Sequence, residues 1–114
     1  MKKEENFEKL VKQIEQEMRR GFLVLGVLSK LDKPQYGYSL LKELNDAGIE
    51  IAQETLYPLL RRLEQQGVVS SEWKVENDTR PRKYYLLNDK GRILYEKLKD
   101  DWHMQIEAME VLLK

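Results

Sequence analysis

The chain has 114 residues and 41% hydrophobic content, enough for one domain with an arm and a core thin enough to favour help from a partner subunit. Its 20 basic and 20 acidic residues cancel, so any nucleic-acid binding must come from local clustering of cations rather than from net charge. The absence of cysteine excludes disulfides, cysteine-ligated zinc and thiol catalysis; with no apolar run of membrane-spanning length and no signal-peptide pattern at the start, a cytoplasmic location is expected.

Residues 5–19 predict a charged amphipathic helix, with Phe7, Leu10, Val11, Ile14 and Met18 at helical spacing. Residues 1–19 form an N-terminal arm that either covers the core or packs on a partner. Residues 19–31 predict a second, buried helix, with Gly21 breaking or bending the chain between the two. Pro34 ends it, since the residue before a proline avoids helical dihedrals.

Tyr36-Gly37-Tyr38-Ser39 opens the next helix, whose Leu40, Leu41 and Leu44 point inward and whose end is marked by Gly48. Ile49-Glu50-Ile51 alternates as a short extended link. The helix that follows, residues 53–66, organises the chain. Leu56, Leu59, Leu60 and Leu63 make an apolar keel, and Glu54, Pro58, Arg61 and Gln65 lie opposite, flanked by Tyr57 and Arg62. Taken alone this is an ordinary amphipathic surface helix. Two short helices joined by a tight link, with the second carrying arginine, make a helix-turn-helix, and arginine suits guanine edges and phosphates. Pro58 sits near the helix start, where its missing N–H falls mostly among donors that are unpaired anyway, and Ala52 is a poor cap.

Val68–Val75 and Arg82–Leu87 read as strands joined by a polar loop, a hairpin. A hairpin directly after such a helix is a wing. Lys74, Arg80, Arg82 and Lys83 join Arg61 and Arg62 as six cations on one expected face, against the plainer reading of a solvated hairpin tip. Tyr84 and Tyr85 alternate, so one belongs to the core and the other to the outside; the sequence leaves open which. Asn88 caps a last helix reaching Leu113, about 37 Å at 1.5 Å per residue. Its stripe of Leu94, Leu98, Trp102, Ile106, Met109 and Leu113 is too long for so small a domain. It predicts a two-fold dimer, joined by Phe7, Leu10 and Ile14 of the arm.

The expected fold is therefore mainly α with a small β-hairpin (α+β). A winged helix-turn-helix spans residues 20–87 and a dimerisation helix residues 88–114. Tyr36-Gly37-Tyr38, the run from Glu54 to Glu64, Gly67, the run from Arg82 to Leu87 and Lys90-Gly91 together resemble the PadR family of transcriptional regulators, over roughly residues 19–100. The resemblance implies a repressor that binds a dyad-symmetric operator as a homodimer. It puts DNA contacts at Tyr38, Gln53, Glu54, Thr55, Tyr57 and Arg61, and in the wing at Arg80, Arg82 and Lys83. The family's glycine-rich wing tip is replaced here by Asp78-Thr79-Arg80-Pro81.

The short C-terminal region resembles the smaller subfamily with one dimerisation helix, some members of which sandwich flat aromatic molecules between interface tryptophans. Trp102, with Met18 and Ile106 beside it, is the corresponding candidate, and filling the dimer seam is its plainer role. His103 stands alone, and neither a metal nor a cofactor is expected. The rival to a DNA-binding repressor is a winged-helix protein-interaction module, favoured slightly by zero net charge, Glu54 and Glu64. An enzyme is rejected: one histidine, no cysteine and no phosphate-binding glycine loop leave no catalytic constellation.

Overall fold

The computed structural model describes residues 2–77 and 80–114. Four helices and three short strands follow in the order α1 (Lys2–Lys30), β1 (Gln35–Tyr36), α2 (Gly37–Asp46), α3 (Gln53–Gln65), β2 (Val69–Lys74), β3 (Arg82–Leu87) and α4 (Asp89–Leu112). The strands form one antiparallel sheet in the order β1-β3-β2. This is the expected α+β class.

The two helices expected before Pro34 are one. α1 runs unbroken through Gly21, which is exposed and has open space around it. A single glycine costs a helix only about 1 kcal/mol against alanine, and helix-favouring residues on both sides carry the chain through. Of α1, Val27 and Leu28 are fully buried and Leu23 and Val24 pack against the core, whereas everything from Lys2 to Phe22 is exposed. The N-terminal half of α1 thus contributes no residue to the core.

The core lies where α1, α2 and α3 meet the sheet. Leu28, Leu31, Leu40, Leu56, Leu60 and Leu87 are wholly buried, and the keel of α3 supplies four core residues. Both helices of the helix-turn-helix stop in the same way. Gly48 and Gly67 take φ of +100° and +81°, which only glycine adopts freely, and the next amides turn back: Ile49 N–H donates to the Leu44 carbonyl at 2.9 Å, Val68 N–H to Leu63 at 3.2 Å. Residues 49–51 form the expected link between α2 and α3, with no regular element of their own. Asn45 fixes them, its Nδ2 donating to the Leu41 and Ile51 carbonyls at 2.8 and 3.0 Å while its Oδ1 accepts from Ile51 N–H at 3.3 Å.

Pro58 is the sixth residue of α3, past the donors left unpaired at the helix start. The first full helical bond, Leu56 N–H to Ala52, is already made, so proline removes the donor that the Glu54 carbonyl would have met. β1 is a third strand that the sequence reading does not contain. It pairs Tyr36 with Tyr84 and Gln35 with Tyr85. Tyr85 is the core member of the pair and Tyr84 faces outward.

α4 is anchored at its start. Asn88 Oδ1 accepts from Gly91 N–H at 2.9 Å, its Nδ2 donates to the Gly67 carbonyl at 2.8 Å, and its own N–H donates to Val68 at 3.3 Å. Leu94, Tyr95 and Leu98 then pack on the core, and Trp102 meets Phe22 of α1 edge to face at 4.8 Å. Beyond Trp102, Met109 and Leu113 are exposed.

Candidate nucleic-acid interface

With its keel buried, α3 turns Gln53, Glu54, Thr55, Tyr57, Pro58, Arg61 and Arg62 to solvent. One edge of that surface adjoins the start of α2. A Cβ on Gly37 would lie 2.1 Å from the Tyr57 ring, so the glycine is what lets α2 and Tyr57 close together. The other edge meets the wing. Glu64 accepts from Ser71 Oγ and pairs with Lys83 at 3.4 Å. The Ser71 hydrogen bond holds the Glu64 carboxyl below its ordinary range; desolvation opposes it, and the Lys83 ammonium adds a weaker lowering effect.

The six cations do not form one face. Strand alternation puts Lys83 on the side of the sheet that faces α3, opposite Trp73, and puts Arg82 and Lys74, themselves directly paired, on the outer side. There the Arg82 guanidinium stands 4.5 Å from the Tyr36 ring and the Lys74 ammonium 5.3 Å from Tyr84. Arg62 faces α1 and lines a cleft of about 620 Å³ with Arg20, Glu54 and Pro58. Arg61 and Arg80 are exposed. The rest of the expected wing tip, Asp78 and Thr79, lies outside the described residues. Tyr38 is 62% exposed and stacks on Tyr36 at 6.5 Å.

Two residues at this surface were missed from the sequence: Arg20, beside the flank of α3, and Tyr36, under Arg82. The Arg19-Arg20 pair was a usable signal, whereas the position of Tyr36 depends on a strand pairing with a partner 48 residues away.

The second cavity of note lies between α1 and α4. It measures about 500 Å³ and is mostly apolar, lined by Phe22, Leu25, Ile49, Tyr95, Trp102 and His103. Met18 and Ile106, expected beside Trp102, do not line it within one protomer: Met18 is 63% exposed and Ile106 is half-buried one turn further on. Among the described residues no three His, Asp or Glu side chains are placed to hold a metal ion, and no helix is long and apolar enough to cross a membrane.

A helix-turn-helix followed at once by an antiparallel hairpin defines a winged helix-turn-helix protein. The chain belongs to the transcriptional regulator PadR-like family, whose profile matches residues 24–97. The crystal structure of a PadR family transcriptional regulator from Eggerthella lenta is similar over 96% of both chains, with 43% identity and a TM-score of 0.83. The PadR-like transcriptional regulator BC4206 from Bacillus cereus is 30% identical, covers 86% of this chain and 97% of its own, and has a TM-score of 0.78. The transcriptional regulator Rv3488 of Mycobacterium tuberculosis is 36% identical over 77 residues, 67% of this chain and 71% of its own length. The family and these relatives are transcriptional regulators, not enzymes.

Proposed function

We propose that the protein is a homodimeric repressor that binds a dyad-symmetric operator, with α3 in the major groove and the wing against the neighbouring backbone. The observation that carries this reading is the solvent face of α3. Gln53, Thr55, Tyr57 and Arg61 all stand clear of the core, on a helix held rigidly by four buried leucines. Arg61 supplies the bidentate donor for a guanine edge or a phosphate. The dimer is supported by Phe7, Leu10, Ile14 and Met18 on α1, Met109 on α4 and Leu113 at its C-cap, all exposed in the single chain. An aromatic effector is supported by the cavity beside Trp102, which offers an indole face and little polar lining.

The test is a binding titration on the DNA upstream of the protein's own gene at two salt concentrations. Affinity should fall steeply with salt, as released counterions require, and Arg61→Ala should weaken binding by roughly tenfold or more. Binding no tighter than to random duplex, unchanged by Arg61→Ala, would instead support the protein-interaction module.

The Glu64–Lys83 pair favours that second reading, because it occupies a wing cation with a carboxylate. It also makes a prediction. Glu64→Gln keeps an acceptor for Ser71 and releases Lys83, so duplex affinity should rise severalfold and the salt slope steepen by about one per subunit. The sign with pH is fixed by the lowered carboxyl. The pair is fully present above the ordinary carboxylate range and is lost as pH falls through the folded state's lower value. An unchanged slope in Glu64→Gln would mean that Lys83 does not reach DNA.

A further inference from the structure

We propose that Tyr36 and Tyr84 are positioning residues for DNA binding, holding Arg82 and Lys74 on the outer face of the sheet as a backbone-phosphate contact separate from Lys83. The inference rests on the DNA-binding reading above and assigns a role to two tyrosines that it leaves unused.

The geometry is a two-by-two array. Tyr36 and Tyr84 are directly opposite each other across β1 and β3, and Lys74 and Arg82 are directly opposite across β2 and β3. Each aromatic ring meets its neighbour edge on at 5.7 Å, and each carries one cation: Arg82 at 4.5 Å from Tyr36, Lys74 at 5.3 Å from Tyr84. A cation over a ring is attracted by the ring's quadrupole and keeps its outer N–H groups free. Arginine on an aromatic plane is therefore pre-oriented, with less side-chain freedom to lose on meeting a phosphate. Among the described residues, neither Arg82 nor Lys74 takes a carboxylate partner, in contrast to Lys83 on Glu64. Within the paired part of the hairpin, this face carries one acid among the described residues, Glu72, the exposed cross-strand partner of Tyr84.

What seats DNA on this face is its continuity with α3. Tyr38 stacks on Tyr36 in the first turn of α2, and Gly37 between them is in contact with Tyr57 of α3. The path Tyr57, Gly37, Tyr36, Arg82 is unbroken and ends in two cations, which is complementary to a phosphodiester backbone running out of the groove that α3 occupies.

The experiment uses full-length protein and a duplex that the wild type enriches from a random-sequence pool, titrated at several salt concentrations. Arg82→Ala should weaken binding about tenfold and lower the salt slope by about one per subunit. Tyr36→Leu should weaken it about fivefold, Tyr36→Phe less than twofold, and Tyr36→Leu should add almost nothing in the Arg82→Ala background. A Tyr36→Leu effect that persists undiminished without Arg82 would show a merely structural role and overturn the proposal. The Arg82→Ala slope decides the matter even where Tyr36→Leu does not fold, since an unchanged slope overturns it too. If Arg61→Ala abolishes selective binding while Arg82→Ala changes nothing, the DNA-binding reading stands and this proposal alone fails. If the wild type enriches no duplex, both fail.

Discussion

Gly91→Ala is expected to lower the melting temperature by roughly 10 °C or more. A Cβ at Gly91 would lie 2.0 Å from the Val68 carbonyl oxygen and 3.1 Å from its carbon. The obstacle is backbone, not a side chain that can swing away. That backbone is itself tied down, because the Val68 oxygen accepts from Asn88 N–H and the neighbouring Gly67 carbonyl accepts from Asn88 Nδ2. Relief requires the first turn of α4 to lift off the sheet, breaking the cap that Asn88 makes to Gly91 N–H. Overpacking of this kind typically costs about 1–3 kcal/mol, more where nothing can move. Gly21→Ala is the internal control: its site is open and helical, so the same methyl group should stabilise by about 1 kcal/mol. Thermal melts of the two variants check this. A Gly91→Ala melt within 2 °C of wild type would mean that the contact between α4 and Val68 is soft.

The second large effect is on assembly. Phe7→Glu with Ile14→Glu is expected to yield a folded monomer at micromolar concentration, and its affinity for a full operator should fall by about 100-fold or more. Both residues are exposed in the protomer, Phe7 at 64%, so the charges cost the isolated fold little. Against a partner helix the same charges would be buried without counter-ions, which association does not tolerate. In the homodimer proposed above, loss of the dimer would remove avidity, since the second half-site would be bound at the high effective concentration set by the first. Sedimentation and circular dichroism check the two halves of the statement. A double variant that remains a dimer would move the interface away from α1, and a wild type that sediments as a monomer would remove it altogether.

What was legible in the sequence was whatever depends on short-range periodicity. The leucine keel of α3, the two terminal glycines, the hairpin strands and the Asn88 cap all follow from neighbours a few residues apart. The errors have local causes as well. Gly21 looks like a breaker, but its cost is small beside the helix-favouring residues around it. Pro58 reads as near enough to the helix start for its missing N–H to fall among unpaired donors, but counted from Gln53 it is the sixth residue and lies past them. β1 is two residues long and exists through pairing with Tyr84 and Tyr85, so no local pattern reveals it. The cation cluster was legible in composition and mistaken in geometry. The period of two that identified the strands also sends Arg82 and Lys83 to opposite faces. The bond from Ser71 to Glu64, and the pairing of Glu64 with Lys83, cross a turn and a strand register and could not be read in advance.

The entry of two copies of α3 into the major groove, proposed above, is directly measurable because the chain has no cysteine. Gln53→Cys places a single thiol at the exposed start of α3, to which an iron chelate that cuts DNA by hydroxyl radicals can be attached. On a duplex enriched from a random pool, two cleavage centres related by a dyad should appear, separated by about one helical turn, ~34 Å or roughly 10 base pairs. Cleavage spread evenly along the duplex, or none where the protein is bound, would contradict it.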